Sequence, residues 1–292
     1  MVPEGMLDAV GARHAVPAPR ADRPARPRAG GIWRLGVGGV LRKLRILVVL
    51  LLAWEALVRM FDVNPLLFPA ASTVAVAWLR GLVSGELVGF AAQSLQVLLT
   101  GMLIGVGLAI LLVTLATTTQ FGRDLLETVT SMFNPLPAIA LMPLALIWFG
   151  LGTSSLIFVI IHAVLWPLAL NAYTGFVTVP QTLVRVGQNF GLRGWSLVSG
   201  ILLPAAFPYL LTGVKIGWAF AWRTIIAAEM VFGVTGSRGG LGWFIYTKRY
   251  ALETADVFAG LITIIVIGLV VENVVFRFVE RRTVVRWGMQ TG

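Results

Sequence analysis

Long apolar runs alternate with short polar breaks along this chain, and the runs match the thickness of a bilayer. A helix needs about 20 mostly apolar residues to cross the hydrocarbon. Read in order, the runs predict six spans, at about residues 45–61, 92–116, 126–149, 155–176, 208–232 and 256–278. No Lys, Arg, Asp or Glu lies between Leu87 and Gly122, which leaves room for one long span. The charge-free tract from Thr128 to Val184 holds two, divided by the turn cluster Gly150-Leu-Gly-Thr-Ser-Ser155. The first run is only just long enough, and its Glu55 and Arg59 sit near the outer end, where long side chains snorkel. Beyond it, Ser72 is expected to cap a short amphipathic helix from Thr73 to Val83 at the outer interface.

Several polar or helix-breaking residues fall inside these runs. Gly101, Gly105 and Gly107, with Ala109, form a small-residue stripe that permits close helix packing, or else are ordinary membrane-helix filler. Asn134-Pro-Leu-Pro137 and Pro143 disturb the third span, and the freed carbonyls must find protein or cavity water, so a kinked helix facing a lumen is expected. Asn134 and Pro137 are therefore candidate pathway-lining residues. His162 lies mid-span with no second metal ligand nearby, and a satisfied packing role is expected of it, with the pathway as the functional alternative. In the fifth span, Lys215 is close enough to the start to snorkel, whereas Arg223 and Glu229 stand deeper, where ionisable groups face protein or water and point to function. Six residues apart on a helix, those two are about 240° apart and poor partners for each other. The Gly-rich stretch from Gly233 to Gly242 follows no strand, so it reads as a flexible outer turn rather than a phosphate cradle. Trp243 to Ala251 reads as an interfacial segment with aromatic anchors.

Composition supports the membrane reading. Of 292 residues 58% are apolar and 12% charged, and the mean hydropathy is +0.87, whereas soluble domains are about 25% charged. Cysteine is absent, which excludes disulfides and thiol chemistry. No metal-binding or catalytic motif is present, so no catalytic or metal-ligating residue is assigned. The net charge of +10 does not signal nucleic acid, because nine of the 23 basic residues precede Ile46 and four follow Val275. Basic flanks mark the cytoplasmic side, so both termini are expected inside. The Pro-, Ala- and Arg-rich start is expected to be disordered, with residues 1–44 a cytoplasmic tail, 45–280 the membrane domain and 281–292 a second tail.

One polar island remains, Pro180 to Pro204, PQTLVRVGQNFGLRGWSLVSGILLP, which the charge bias places in the cytoplasm. It resembles the coupling loop of ABC importer permeases. That loop usually reads Glu-Ala-Ala, three residues, Gly, nine residues, Ile, one residue, Leu-Pro. Here the positions are Arg185-Val186-Gly187, then Gly191, Ile201, Leu203 and Pro204; the spacing is kept and the acidic-alanine start is not. FPAASTVAVAW, SGEL, NPLPAIALMPLALIWFGLG and GSRGGLG resemble the nitrate, sulfonate, taurine and bicarbonate branch, and the likeness runs from about Phe68 to Val279.

The resemblance implies an all-α permease of six transmembrane helices, type I in architecture, with two short cytoplasmic coupling helices, roughly Thr182 to Phe190 and Trp195 to Leu202. Arg185, Val186, Gly187, Gly191, Leu192, Ile201, Leu203 and Pro204 would meet a cytoplasmic ABC ATPase dimer that binds ATP and Mg; this chain itself would bind no cofactor. The same resemblance implies a second permease copy, an external solute-binding protein and a place in the bacterial inner membrane. The solute would be a small anion of the nitrate, sulfonate or taurine type, for which Arg223 offers a cation. The alternatives are an intramembrane enzyme in which His162 and Glu229 meet, and an ion-gradient transporter, whose internal repeat is not visible.

Overall fold

A computed structural model describes residues 37–232 and 239–285. Contacts divide the chain at Leu50. The part up to Leu50, as far as it is described, holds the first turns of α1 (Val37–Met60). The part from Leu51 onward holds the remaining elements.

The helices of that part follow one another closely. They are the rest of α1, then α2 (Ala71–Val83), α3 (Glu86–Thr118), α4 (Gln120–Phe133), α5 (Met142–Phe149), α6 (Thr153–Val177), α7 (Gln181–Asn189), α8 (Trp195–Leu197), α9 (Leu203–Phe232), α10 (Leu241–Tyr250), α11 (Thr254–Val270) and α12 (Arg277–Glu280). Among the described residues, four stretches are single helices long and apolar enough to cross a membrane: Glu86–Thr118, Thr153–Val177, Trp195–Val231 and Thr254–Thr283. Gln120–Phe133 and Ala138–Phe149 are together apolar enough for a fifth if the bent pair is counted as one span. α1 is 24 residues long and polar towards both ends, with Arg42, Lys43 and Arg45 in its first half and Glu55 and Arg59 in its last turns. It begins at Val37, so residues 37–44 of the expected tail are helical: Leu41, Arg42 and Lys43 are good helix formers and extend the helix. Residues 281–285, at the start of the expected second tail, form a π-helical turn.

The expected third span is not one helix. α4 and the 138–149 segment meet at 89°, because Pro135 and Pro137 have no N–H to offer and Pro137 itself takes an extended ψ of 124°. A 3-10 turn, Ala138–Leu141, restarts the helix. Pro143 kinks nothing, since it lies in the first turn of α5, where a missing donor does no harm.

The core is built on α6, buried along most of its length between α3 and α9. Two of the α3 glycines explain how closely α3 approaches. A Cβ on Gly101 would stand 2.7 Å from Ile160, and one on Gly105 would stand 3.2 Å from Val164, whereas Gly107 faces open space. The packing stripe is therefore Gly101, Gly105 and Ala109, at helical spacing of four, and Gly107 is not part of it. At the foot of α3 the chain turns through Thr119, whose hydroxyl accepts from the Gly122 N–H at 2.9 Å and caps α4. The turn between α5 and α6 is held by Ser155, whose hydroxyl donates to the carbonyls of Gly150 at 2.5 Å and Ala145 at 3.1 Å.

Ser72 is not the cap of α2, which begins at Ala71. The cap comes from α1: the Glu55 carboxylate accepts from the Ser72 N–H at 3.0 Å and its hydroxyl at 2.8 Å, while also pairing with Arg59. α2 is pinned to α11 by the Trp78 indole, which donates to Thr263 at 3.0 Å.

Candidate functional site

The island folds as a closed elbow. α7 ends in a Schellman motif, with the Gly191 N–H donating to the Gln188 carbonyl at 2.9 Å and the Leu192 N–H to the Gly187 carbonyl at 3.0 Å. Gly191 holds φ +79°, a left-handed conformation that L side chains reach only at a cost. Four residues earlier, Gly187 is buried, and a Cβ there would collide with Ile201 and with Leu197, 2.9 Å away. The pattern of Gly191 and Ile201 with nine residues between them thus has a geometric meaning: Gly191 reverses the chain, and the isoleucine then lies over the helix just left. Arg185, Val186 and Gly191 are exposed, Leu192 and Ile201 half-buried. The elbow presents two aromatic side chains to its surroundings, Phe190 at 82% and Trp195 at 77% exposure.

The second arm is not a free-standing helix. α8 runs through a π-helical turn, Val198–Leu202, directly into α9, so Leu203 and Pro204 are the start of a long span. Pro204 follows directly on the π-helical turn, where the regular α-helical ladder is already interrupted.

Of the candidate pathway residues, the fold brings Asn134, Pro137 and His162 together. They line one cavity of about 290 Å³ with Trp166, Phe220 and Thr224. The broken third span forms one wall, α6 another and α9 a third. His162 is buried, 9% exposed, and its ring nitrogens make no well-formed hydrogen bond, although the Phe133 backbone interacts with the ring. The Trp166 indole N–H, one helical turn on, is also unpartnered. Trp166 was absent from the sequence-based set because an apolar span gives no reason to single out one of ten tryptophans.

Arg223 and Glu229 go elsewhere, as their angular separation requires. Arg223 is exposed and lines a second cavity of about 260 Å³ with Lys215, Trp222 and Glu272, between α9 and the α11 end. Lys215 reaches Glu280 at 2.9 Å. Glu229 lines neither of these cavities. It is 3% exposed and accepts from the Ser94 hydroxyl at 2.9 and 2.8 Å and from the Gly242 N–H at 2.9 Å. The Leu241 N–H donates in turn to Ser94 Oγ at 2.9 Å. Carboxylate and hydroxyl together thus satisfy two orphan donors at the N-terminus of α10. Gly239–Gly242 is accordingly no flexible turn: a Cβ on Gly242 would stand 2.7 Å from the Glu229 Cβ, and one on Gly240 would overlap Ser94 and the carboxylate. Gly233 to Arg238 lie outside the described residues.

Comparison with known proteins agrees with this architecture. Residues 101–285 match the family described as the binding-protein-dependent transport system inner membrane component. The chain is 31% identical to a putative ABC transporter permease of Methanocaldococcus jannaschii, over 79% of this chain and 86% of the relative. It is 28% identical to the putative aliphatic sulfonates transport permease SsuC of Bacillus subtilis over 91% of each. It is 30% identical to the taurine transport permease TauC of Escherichia coli, over 77% of this chain and 82% of that one. The chain belongs to this family of permeases: it is the multi-pass inner-membrane subunit of an ABC importer, in the branch whose resemblance the sequence carries.

Proposed function

We propose that this chain forms half of the pathway for a small solute of the sulfonate, taurine or nitrate type, and that a second copy of it supplies the other half. The reading draws on the names of its relatives for the solute class. The 180–204 elbow is the contact for a cytoplasmic ATPase, and the observation that carries this is the pair of exposed aromatics, Phe190 and Trp195, on a glycine-locked turn. Exposed aromatics on a rigid turn are what a partner's groove engages, since such anchors contribute most of an interface's energy. ATP and Mg bind that partner; this chain holds no cofactor and hydrolyses nothing. Both termini and the elbow lie in the cytoplasm, and a solute-binding protein delivers cargo from outside.

The intramembrane-enzyme alternative needs His162 and Glu229 in one cavity, and their surroundings here are separate. The test is co-purification of the chain with the ATPase encoded beside it. Wild-type protein should retain the ATPase through size exclusion, and Phe190→Asp with Trp195→Asp should release it while the chain still inserts. Retention by the double variant would place the contact elsewhere.

A further inference from the structure

Two opposite charges stand inside the spans Trp195–Val231 and Thr254–Thr283 without an answer from the chain itself. Arg223 and Glu272 are both exposed and line the same cavity of about 260 Å³, yet among the described residues neither forms an ion pair or a hydrogen bond. Lys215, the third charge of that cavity, is already met by Glu280 at 2.9 Å. Ionisable groups at membrane depth are costly unless protein or water faces them.

Each of the two charges ends an exposed stripe. On α9 the stripe is Ile216, Phe220 and Arg223, spaced by four and three residues. The same spacing on α11 and the π-helical turn that continues it, Val271–Phe276, gives Ile265, Leu269 and Glu272, exposed likewise. Such spacing keeps residues on one side of a helix. The two stripes also stand at matching depth. A Cβ on Gly268 would lie 3.7 Å from the indole nitrogen of Trp222, the neighbour of Arg223, and Glu272 is four residues further on, about 6 Å along the helix. The charges are thus about one helical turn apart along the spans, a step that the length of an arginine side chain covers.

A face with one cation and one anion at nearly equal depth is self-complementary. Rotation by a half-turn about the membrane normal sets the cation of one copy opposite the anion of the other, twice over, and two-fold faces of this kind are the commonest in homo-oligomers. An anionic lipid or solute would answer Arg223 and leave Glu272 unpaired. We propose that Arg223 pairs with Glu272 of a second copy of this chain, so that the exposed face of α9 and α11 is the seam between the two halves of the permease. The second half is then this same chain, and Arg223 is an assembly residue rather than the solute's cation that its sequence position suggests.

This inference rests on the paired-permease reading and deepens it, and the test separates the two. The chain contains no cysteine, so introduced thiols report alone. A copy with Arg223→Cys and one tag is expressed with a copy carrying Glu272→Cys and a second tag, beside the ATPase. Membranes are treated with a short bismaleimide, because thiols that replace the ends of two long side chains are too far apart for a direct disulfide. A cross-linked band bearing both tags is expected, and none when Leu103→Cys, 73% exposed on α3, replaces Arg223→Cys. In detergent, Arg223→Glu sets carboxylate against carboxylate and should lower recovery of one tag with the other about tenfold or more; Arg223→Glu with Glu272→Arg should restore it. If the wild-type tags co-purify and the cross-link does not form, the seam lies on another face and the proposal is overturned while the paired permease stands. The same follows if Arg223→Glu keeps the tags together and loses only bound lipid phosphate or only taurine uptake, since the cation would then hold a lipid head or the solute. If the wild-type tags do not co-purify although the ATPase is bound, the paired reading fails and takes the seam with it.

Discussion

Ser94 donates its hydroxyl to both oxygens of Glu229 across 135 residues of sequence, at 2.9 and 2.8 Å, and joins the N-terminal part of α3 to the end of α9. Because the Gly242 N–H and, through Ser94, the Leu241 N–H complete the set, this pair decides where α10 begins. Glu229→Ala leaves buried donors unanswered, at about 1–3 kcal/mol for each. Glu229→Gln keeps one acceptor oxygen and should be milder, and Ser94→Ala combined with Glu229→Ala should cost less than the sum of the two, since they share one network. Thermal unfolding of the detergent-solubilised variants, followed by loss of the monodisperse peak, gives the order; additive losses would mean that the network is not one unit.

Gly101 and Gly107 make a matched pair for testing the α3–α6 contact. Gly101→Leu places a side chain where Ile160 already lies and should abolish monodisperse protein, whereas Gly107→Leu points into open space and should change little. Equal tolerance of both would show that α3 is not held at this distance in the membrane.

Gly191 should be sensitive through its backbone rather than its surroundings, for a Cβ there meets nothing within 4 Å. Gly191→Val puts a β-branched residue at positive φ, at a cost of about 1–2 kcal/mol, and should open the Schellman turn. ATPase co-purification is expected to fall while membrane insertion stays intact; lost insertion would make the turn a folding element instead.

Lys248 is tied to Glu253 at 2.6 Å, with Glu86 at 3.9 Å, and the hydrogen bond it donates to Glu253 raises its pKa above the usual lysine value despite some desolvation. A raised lysine pKa contributes stability that is complete below its unfolded value near 10.5 and is lost as pH rises through the folded value. Lys248→Gln should therefore weaken the turn between α10 and α11 at neutral pH, and the difference from wild type should vanish in strong alkali. Hydrogen exchange of residues 247–254 at pH 7 reports it; indistinguishable protection there would show that the pair contributes nothing.

Hydropathy located most of the spans, because an unbroken apolar run leaves few alternatives in a bilayer. It could not locate the 89° break, since Leu126 to Phe149 reads as one run whether or not Pro135 and Pro137 fold it back. The island was legible through spacing, and the reason is now visible: Gly191 needs its φ and Gly187 its bare Cα, so both are read directly from residue type. The helix caps were not legible. Glu55 and Glu229 each reach the start of a helix far along the chain, α2 in one case and α10 in the other, and no local rule pairs residues at such separations. The Trp166 donor was hidden for a different reason, because its significance is the absence of a partner, which only coordinates reveal.

The unbroken passage from Trp195 to Val231 has a mechanical meaning. Its 37 residues make a rod of about 55 Å at the α-helical rise. A tilt of about 5° applied at the Trp195 end would swing the opposite tip by about 5 Å over such a length. Phe220 and Thr224 on one flank, and Trp222 and Arg223 on the other, ride on that rod. A nudge at the 180–204 elbow would therefore reshape both chambers at once, in opposite senses, with the Ser94–Glu229 clasp resisting the swing at the distal tip.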